Sequence, residues 1–350
     1  MNANIFYLSL VVLSILLSSC GSTIPLQVLQ PAQMVVPSHI QTIATIDRSK
    51  PERGFLNFLE GAISGEEIGQ DRTGRKFALD GLTGALTRTP RFSVKHTGIE
   101  LTGSKGGNSF APPLDWKQVE KLCRDYQADA LVAIESFDSD NNVSYSLQTE
   151  KVKKDGKETI KNYYNARLDL TIRIGWRFYD PKAKVILDEF TTYDQATDTR
   201  RGDTKEQALR SLGNQSNVTK DLSNLVGTAY GMRIAPVWIT VNREFYKSGK
   251  GDATAKMEQA ARFAKADQWK EAAEIWRALT SSAIDAKTAG RAAYNLAVAN
   301  ERTGNLESAV DWAQQSYTRF GNKKALRYVD ILKQRISDQK RLETQLKTKA

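Results

Sequence analysis

The sequence predicts an α+β protein: an N-terminal mixed α/β domain with an antiparallel meander, followed by an all-α domain of helical hairpins. Three observations carry this. Ala166, Leu168, Leu170, Ile172, Ile174, Trp176 and Phe178 alternate with Arg167, Asp169, Thr171, Arg173, Gly175 and Arg177, the period of two that marks a strand with one buried face. Trp116, Val119, Leu122, Cys123 and Tyr126 share one helical face behind Asp115, which stands in the N-cap position. Beyond the linker Gly249-Lys250-Gly251-Asp252 the pattern is helical, and Trp269, Ala272 and Trp276 match Leu306, Ala309 and Ala313 at a constant offset, the mark of a repeat.

The elements follow in chain order. Residues 1–19 carry no charged side chain, and their apolar run from Ile5 to Leu17 ends at Leu17-Ser18-Ser19-Cys20-Gly21. Such a run is shorter than the about 20 residues that span a bilayer as a helix and fits the apolar region of an export signal. A buried N-terminal helix would need a polar face that this run lacks. Residues 20–31 read as an uncharged tether that reaches at most ~40 Å. Residues 32–248 form the α+β domain. Ile40 to Ile46 alternate as a strand, a Gly-rich charged segment covers 50–75, and Phe77 to Leu86 follow helical spacing. Arg91 to Val94 is a strand and Gly98 to Pro113 a loop. After the Asp115 helix, Leu131 to Ile134 is a buried strand, and Val143, Tyr145, Leu147 and Thr149 alternate as another. Tyr179-Asp180-Pro181 breaks the long strand, Val185 to Tyr193 returns beside it, a helix covers 204–232, and Val237 to Phe245 is the last strand. Residues 252–350 form the helical domain, with a small insertion near Ser281–Lys287 and a last helix from Lys323 to Leu346.

Composition bounds the chemistry. Of a net charge of +10, most lies from Arg319 to Ala350, where ten Lys and Arg face three acids. This stretch reads as the solvated face of a capping helix, or else as a surface that docks on an anionic partner. With two cysteines, one of them Cys20, no second thiol is left to bridge Cys123. Cys123 reads as a small buried hydrophobe rather than a nucleophile, and a Cys/His zinc site is not expected. Asp138, Asp140 and Asn142 begin like a calcium loop, but Val143 and Thr149 stand where Gly and Glu belong. Thr102 to Gly107 has the glycines of a phosphate loop at the wrong spacing. Glu66 and Glu67 beside Asp71, Arg72 and Arg75 could do general acid/base work; a charged surface loop is the plainer reading. No catalytic, cofactor-binding or metal residue is expected, and no cofactor.

Leu17-Ser18-Ser19-Cys20 resembles the lipobox of bacterial lipoproteins. The resemblance implies lipid attachment at Cys20, loss of residues 1–19 and anchoring in a membrane through the lipidated Cys20. Gly21-Ser22, with no acid after the cysteine, resembles signals for the outer membrane, facing the periplasm. The stretches LDGLTGALTRTPRFSV and DYQADALVAI, with their element order, resemble curli-secretion-channel-like and penicillin-binding-protein-activator-like lipoproteins. YNLAVANERTGNLESAVDWAQQSY resembles a tetratricopeptide repeat. Taken with YDP, APVW, REFY and LRYVDILKQRI, the chain resembles an uncharacterised Bacteroidota outer-membrane lipoprotein family, which brings no activity with it.

The expected function is a non-enzymatic, lipid-anchored scaffold of the cell envelope, with a protein partner at residues 252–350 and no nucleic acid. The alternatives are a subunit of an oligomeric envelope assembly or secretion complex, and an envelope hydrolase using Glu66 to Asp71. The oligomeric state is open. A Cys20→Ser variant is expected to move from the membrane to the soluble periplasmic fraction, read by fractionation and immunoblotting; retention in the membrane counts against the anchor.

Overall fold

A computed structural model of the chain describes residues 21–51, 65–104, 110–154, 156–281 and 285–346. Cys20 lies outside the described residues, as do residues 52–64, half of the Gly-rich segment. The chain divides into two compact units, residues 29–239 with 340–350, and residues 1–28 with 240–339.

The first unit is a five-stranded mixed sheet in the order β3-β2-β4-β5-β6, with strands β2 (Thr42–Pro51), β3 (Ser93–Ser104), β4 (Ala130–Lys154), β5 (Lys157–Asp180) and β6 (Val185–Gly202). β2 pairs in parallel with β3 and β4, so helices α1 (Gly65–Thr87) and α2 (Trp116–Asp125) are crossovers. β4, β5 and β6 form the antiparallel meander. The alternation in β5 decides what covers it. Ala166 to Phe178 at every second place are buried under α1 and α4 (Gln215–Ile234), where Trp176 stacks on Tyr230 at 4.7 Å. The opposite face of the sheet packs Ala44, Ile46, Leu131, Ala133 and Tyr179 against Val119, Leu122 and Cys123 of α2. Asp115 caps α2 by accepting from the Gln118 N–H, as its position predicts.

Two details differ from expectation. The charged segment around Glu66 and Asp71 is not a loop: helix starts at Gly65. The helix expected over 204–232 is two, α3 (Lys205–Ser211) and α4, because Asn214 accepts from the Asn217 N–H and starts a new one. Asp138, Asp140 and Asn142 stand on one face of continuous strand, where Arg173 Nη1 lies 3.0 Å from Asp140 Oδ2 and 3.7 Å from Asp138 Oδ2. They form no calcium loop.

The second unit pairs strands β1 (Gly21–Gln30) and β7 (Val237–Tyr246) with helices α5 (Ala253–Lys265), α6 (Trp269–Ser281), α7 (Ala286–Arg302), α8 (Leu306–Thr318) and α9 (Lys323–Leu346). The expected tether is thus a strand. Ile24 and Leu26 alternate with exposed Thr23, Pro25 and Gln27 and join the helical core; burying those two apolar side chains outweighs the freedom a tether keeps. Pro25 is tolerated because a two-stranded sheet offers an edge. The helical unit also takes in β7 from Thr240, where Phe245 meets Trp269 and Trp276 edge-on at 6.3 and 6.1 Å. The repeat offset reappears in three dimensions. Asp267 and Gly304 end α5 and α7, and both take positive φ, 61° and 81°. Ala272 and Ala309 are fully buried at equivalent places.

The packing of α1 on α4 has no slack. A Cβ added at Gly227 would overlap Ala78 O, and one at Gly81 would overlap Asn224 O. A Gly227→Ala variant is therefore expected to lose about 2 kcal/mol of stability, in the range of core overpacking, measured by denaturant unfolding of the full chain.

Candidate functional site

A groove of about 680 Å³ opens on the helical unit between β7, α7 and α9, lined by Asn242, Arg243, Glu244, Tyr294, Lys323, Lys324, Arg327, Tyr328 and Ile331. α9 presents Lys323, Lys324, Arg327 and Ile331 at helical spacing. β7 presents Arg243 beside the buried Phe245, which fixes the strand in the core.

Beneath the groove lies Glu301, its side chain fully buried. Arg243 donates to both its oxygens at 2.7 and 2.9 Å, Arg335 to Oε1 at 2.7 Å and the Tyr328 hydroxyl to Oε2 at 2.5 Å. Burial by itself pushes this carboxyl up; the hydrogen bonds from Arg243, Tyr328 and Arg335 and the Arg243 charge overcome it and hold the group below its usual range. Two guanidinium groups against one carboxylate leave the base of the groove positive.

Aromatic rings build the wall. Tyr246 meets Tyr294 edge-on at 5.4 Å, and Tyr294 lies 5.1 Å from Tyr328. Burial, with the neighbouring Tyr246 and Glu244, pushes the Tyr294 hydroxyl up to about 12, so it stays protonated and can donate. At the rim Lys324 Nζ is 3.1 Å from Glu244 in an exposed pair, worth little in water. Lys323 and Arg327 are exposed and carry no ion pair among the described residues. A positive base, exposed cations and a hydroxyl donor are groups whose chemistry complements carboxylates.

Of the residues singled out from the sequence, Cys20 lies outside the described residues. Cys123 is buried on α2, and its thiol is pushed up to about 12 by burial first, then by the charges of Asp129 and Asp180. Such a thiol is a poor nucleophile. Arg75 is buried with its Nε 3.0 Å from Asp47 Oδ2, an internal ion pair rather than part of a charged surface loop. The basic C-terminal stretch divides: Lys323, Lys324, Arg327 and Lys333 face outward, while Arg335 turns in to Glu301. Sequence reasoning missed Glu301, Arg243, Tyr294 and Tyr328. The one available signal was Arg243 at an inward place in the β7 alternation.

A carboxyl held below its unfolded value contributes stability that is present above about pH 4.3, the unfolded value, and is lost as pH falls through the folded one. Replacing Glu301 by Gln leaves Arg243 and Arg335 without their shared counter-charge. The Glu301→Gln variant is expected to cost about 3 kcal/mol at pH 7 and to flatten the acid limb of stability; thermal unfolding from pH 7 to pH 3 checks both.

Similarity to known proteins adds the following. No curated protein matches the chain. Among solved structures, the chain is similar to the PelC dodecamer from Paraburkholderia phytofirmans at 11% identity, covering 59% of this chain and 96% of that one with a TM-score of 0.23. It is also similar to a putative neuraminyllactose-binding hemagglutinin homolog from Helicobacter pylori at 17% identity, covering 57% and 94% with a TM-score of 0.21. Likenesses at that level carry no weight for fold, assembly or ligand. Residues 258–334 match a family model described as Domain of unknown function (DUF6340). Residues 40–246, more than half the chain, match another, and the chain accordingly belongs to the family described as Domain of unknown function (DUF8603).

Proposed function

We propose that this protein is a lipid-anchored component of the cell envelope whose helical unit holds an acidic segment of a protein partner. Lys323 and Arg327, exposed cations without an ion pair among the described residues, line the groove together with Tyr294 and carry this reading. They flank a groove whose base is already positive, and Ile331 offers an apolar contact to an extended peptide. The anchoring half rests on Leu17-Ser18-Ser19-Cys20. An exposed cation pair gains affinity and on-rate from opposite charge and loses both as salt rises.

The full chain, carrying Cys20→Ser for solubility, is expected to bind a fluorescein-labelled oligoglutamate peptide, with anisotropy falling as salt is raised. The Lys323→Glu/Arg327→Glu variant is expected to bind roughly tenfold more weakly, since each surface pair contributes up to about 1 kcal/mol. Equal binding by that variant, or binding to anionic vesicles and not to the peptide, overturns the reading.

A further inference from the structure

The long strand β4 outruns its neighbour. β2 pairs with it only from Ala130 to Ile134. From Ser136 to Lys154 it has β5 on one side and, among the described residues, no strand on the other. Exposed strand edges are templates for another chain, and proteins blunt them with charge, bulges or a covering element. The other two edges of this sheet are blunted. β6 carries Asp188, Glu189, Asp194, Asp198, Arg200 and Arg201 along its length. β3 carries Lys95, His96 and Glu100, with Gly98 at positive φ and register breaks beside it. Among the described residues the β4 edge is not. Asn142 to Thr149, NVSYSLQT, has no charge and no proline, and on one face Val143, Tyr145 and Leu147 are 40%, 51% and 55% exposed.

The stretch is also complementary to itself. Laid antiparallel about a two-fold axis at Ser146, Tyr145 faces Leu147 twice over, Val143 faces Thr149, Ser144 faces Gln148 and Asn142 faces Glu150. Apolar side chains then share one face and polar ones the other, as an isologous contact requires. The acidic end of one copy, Asp138 and Asp140, comes beside the basic end of the other, Lys151 and Lys153. Moving the axis to Tyr145 sets Asp140 against Glu150, and moving it to Ser144 sets Asp138 against Glu150, both like-charge pairs that disfavour the contact. We propose that the free edge of β4 is a homodimer interface, in which two copies of this chain pair β4 antiparallel about Ser146 and join their sheets into one. This goes beyond the groove reading and is independent of it.

The test uses the full chain with Cys20→Ser, so that buried Cys123 is the sole native thiol. Sedimentation velocity at micromolar concentration is expected to show a dimer. In that background Ser146→Cys brings two thiols together on the axis, at the Cα separation of about 4.5–5.5 Å of antiparallel partners, which a disulfide spans. Mild oxidation is expected to give a covalent dimer. Leu147→Lys puts a charge on the edge opposite Tyr145 in both symmetry-related pairs and is expected to weaken dimerisation by about tenfold, with unchanged circular dichroism. A monomer throughout, an assembly larger than a dimer, or a dimer that fails either the cross-link or the lysine test overturns the proposal.

Discussion

A buried carboxylate held between two arginines and a tyrosine recurs at the centre of each unit. In the sheet unit, Glu135 receives Arg48 at 2.6 Å and the Tyr179 hydroxyl at 2.5 Å, with Arg177 at 3.5 Å. In the helical unit, Glu301 receives Arg243, Arg335 and Tyr328. Neither carboxylate is accessible, so each must be neutralised where it sits, or its burial costs several kcal/mol. The two solutions are unequal. Glu301 is gripped by both arginines at hydrogen-bond distance and is held low; burial dominates at Glu135, whose second arginine stands off, and its carboxyl is raised. The two therefore pull stability in opposite directions with pH: the first is lost as pH falls, the second as pH rises through its raised value. Elements far apart in sequence are fixed by these charges. Arg48 comes from β2, Glu135 from β4, and Arg177 and Tyr179 from β5.

The route by which Glu135 reaches the interior is a backbone irregularity. Ile134 faces Trp176 and Ser136 faces Gly175, so Glu135 is an extra residue on β4. A bulge of this kind re-aims a side chain. It also lies where β2 pairing ends and the free edge starts.

Much of this architecture was written in local pattern. The β5 alternation is long and unbroken, so its buried face follows from period alone. Asp115 before Trp116 signals its helix, and the recurrence of Trp269 and Ala272 in Leu306 and Ala309 signals the hairpins. The strand β1 was equally periodic in Ile24, Leu26 and Val28, but three positions with a proline between them weigh little against Gly-Ser-Thr composition. The groove was less legible. Glu301 sits in AVANERTG at a helix end, where an acid beside an arginine reads as solvated surface; only the arrival of Arg243 and Arg335 from elsewhere makes it interior. The bulge at Glu135 likewise leaves no mark in composition. Charges buried by long-range partners are invisible to any rule that looks a few residues either way, because the partners lie 87 and 58 positions off.

The strand at the start of the described chain has a mechanical consequence. A flexible tether over residues 20–31 would stretch under load before the folded part felt anything. Here Gly21–Gln30 is strand, and Ile24 and Leu26 are packed among the helices. A force applied at Gly21 is borne by the β1–β7 pairing and by the apolar core of the helical unit.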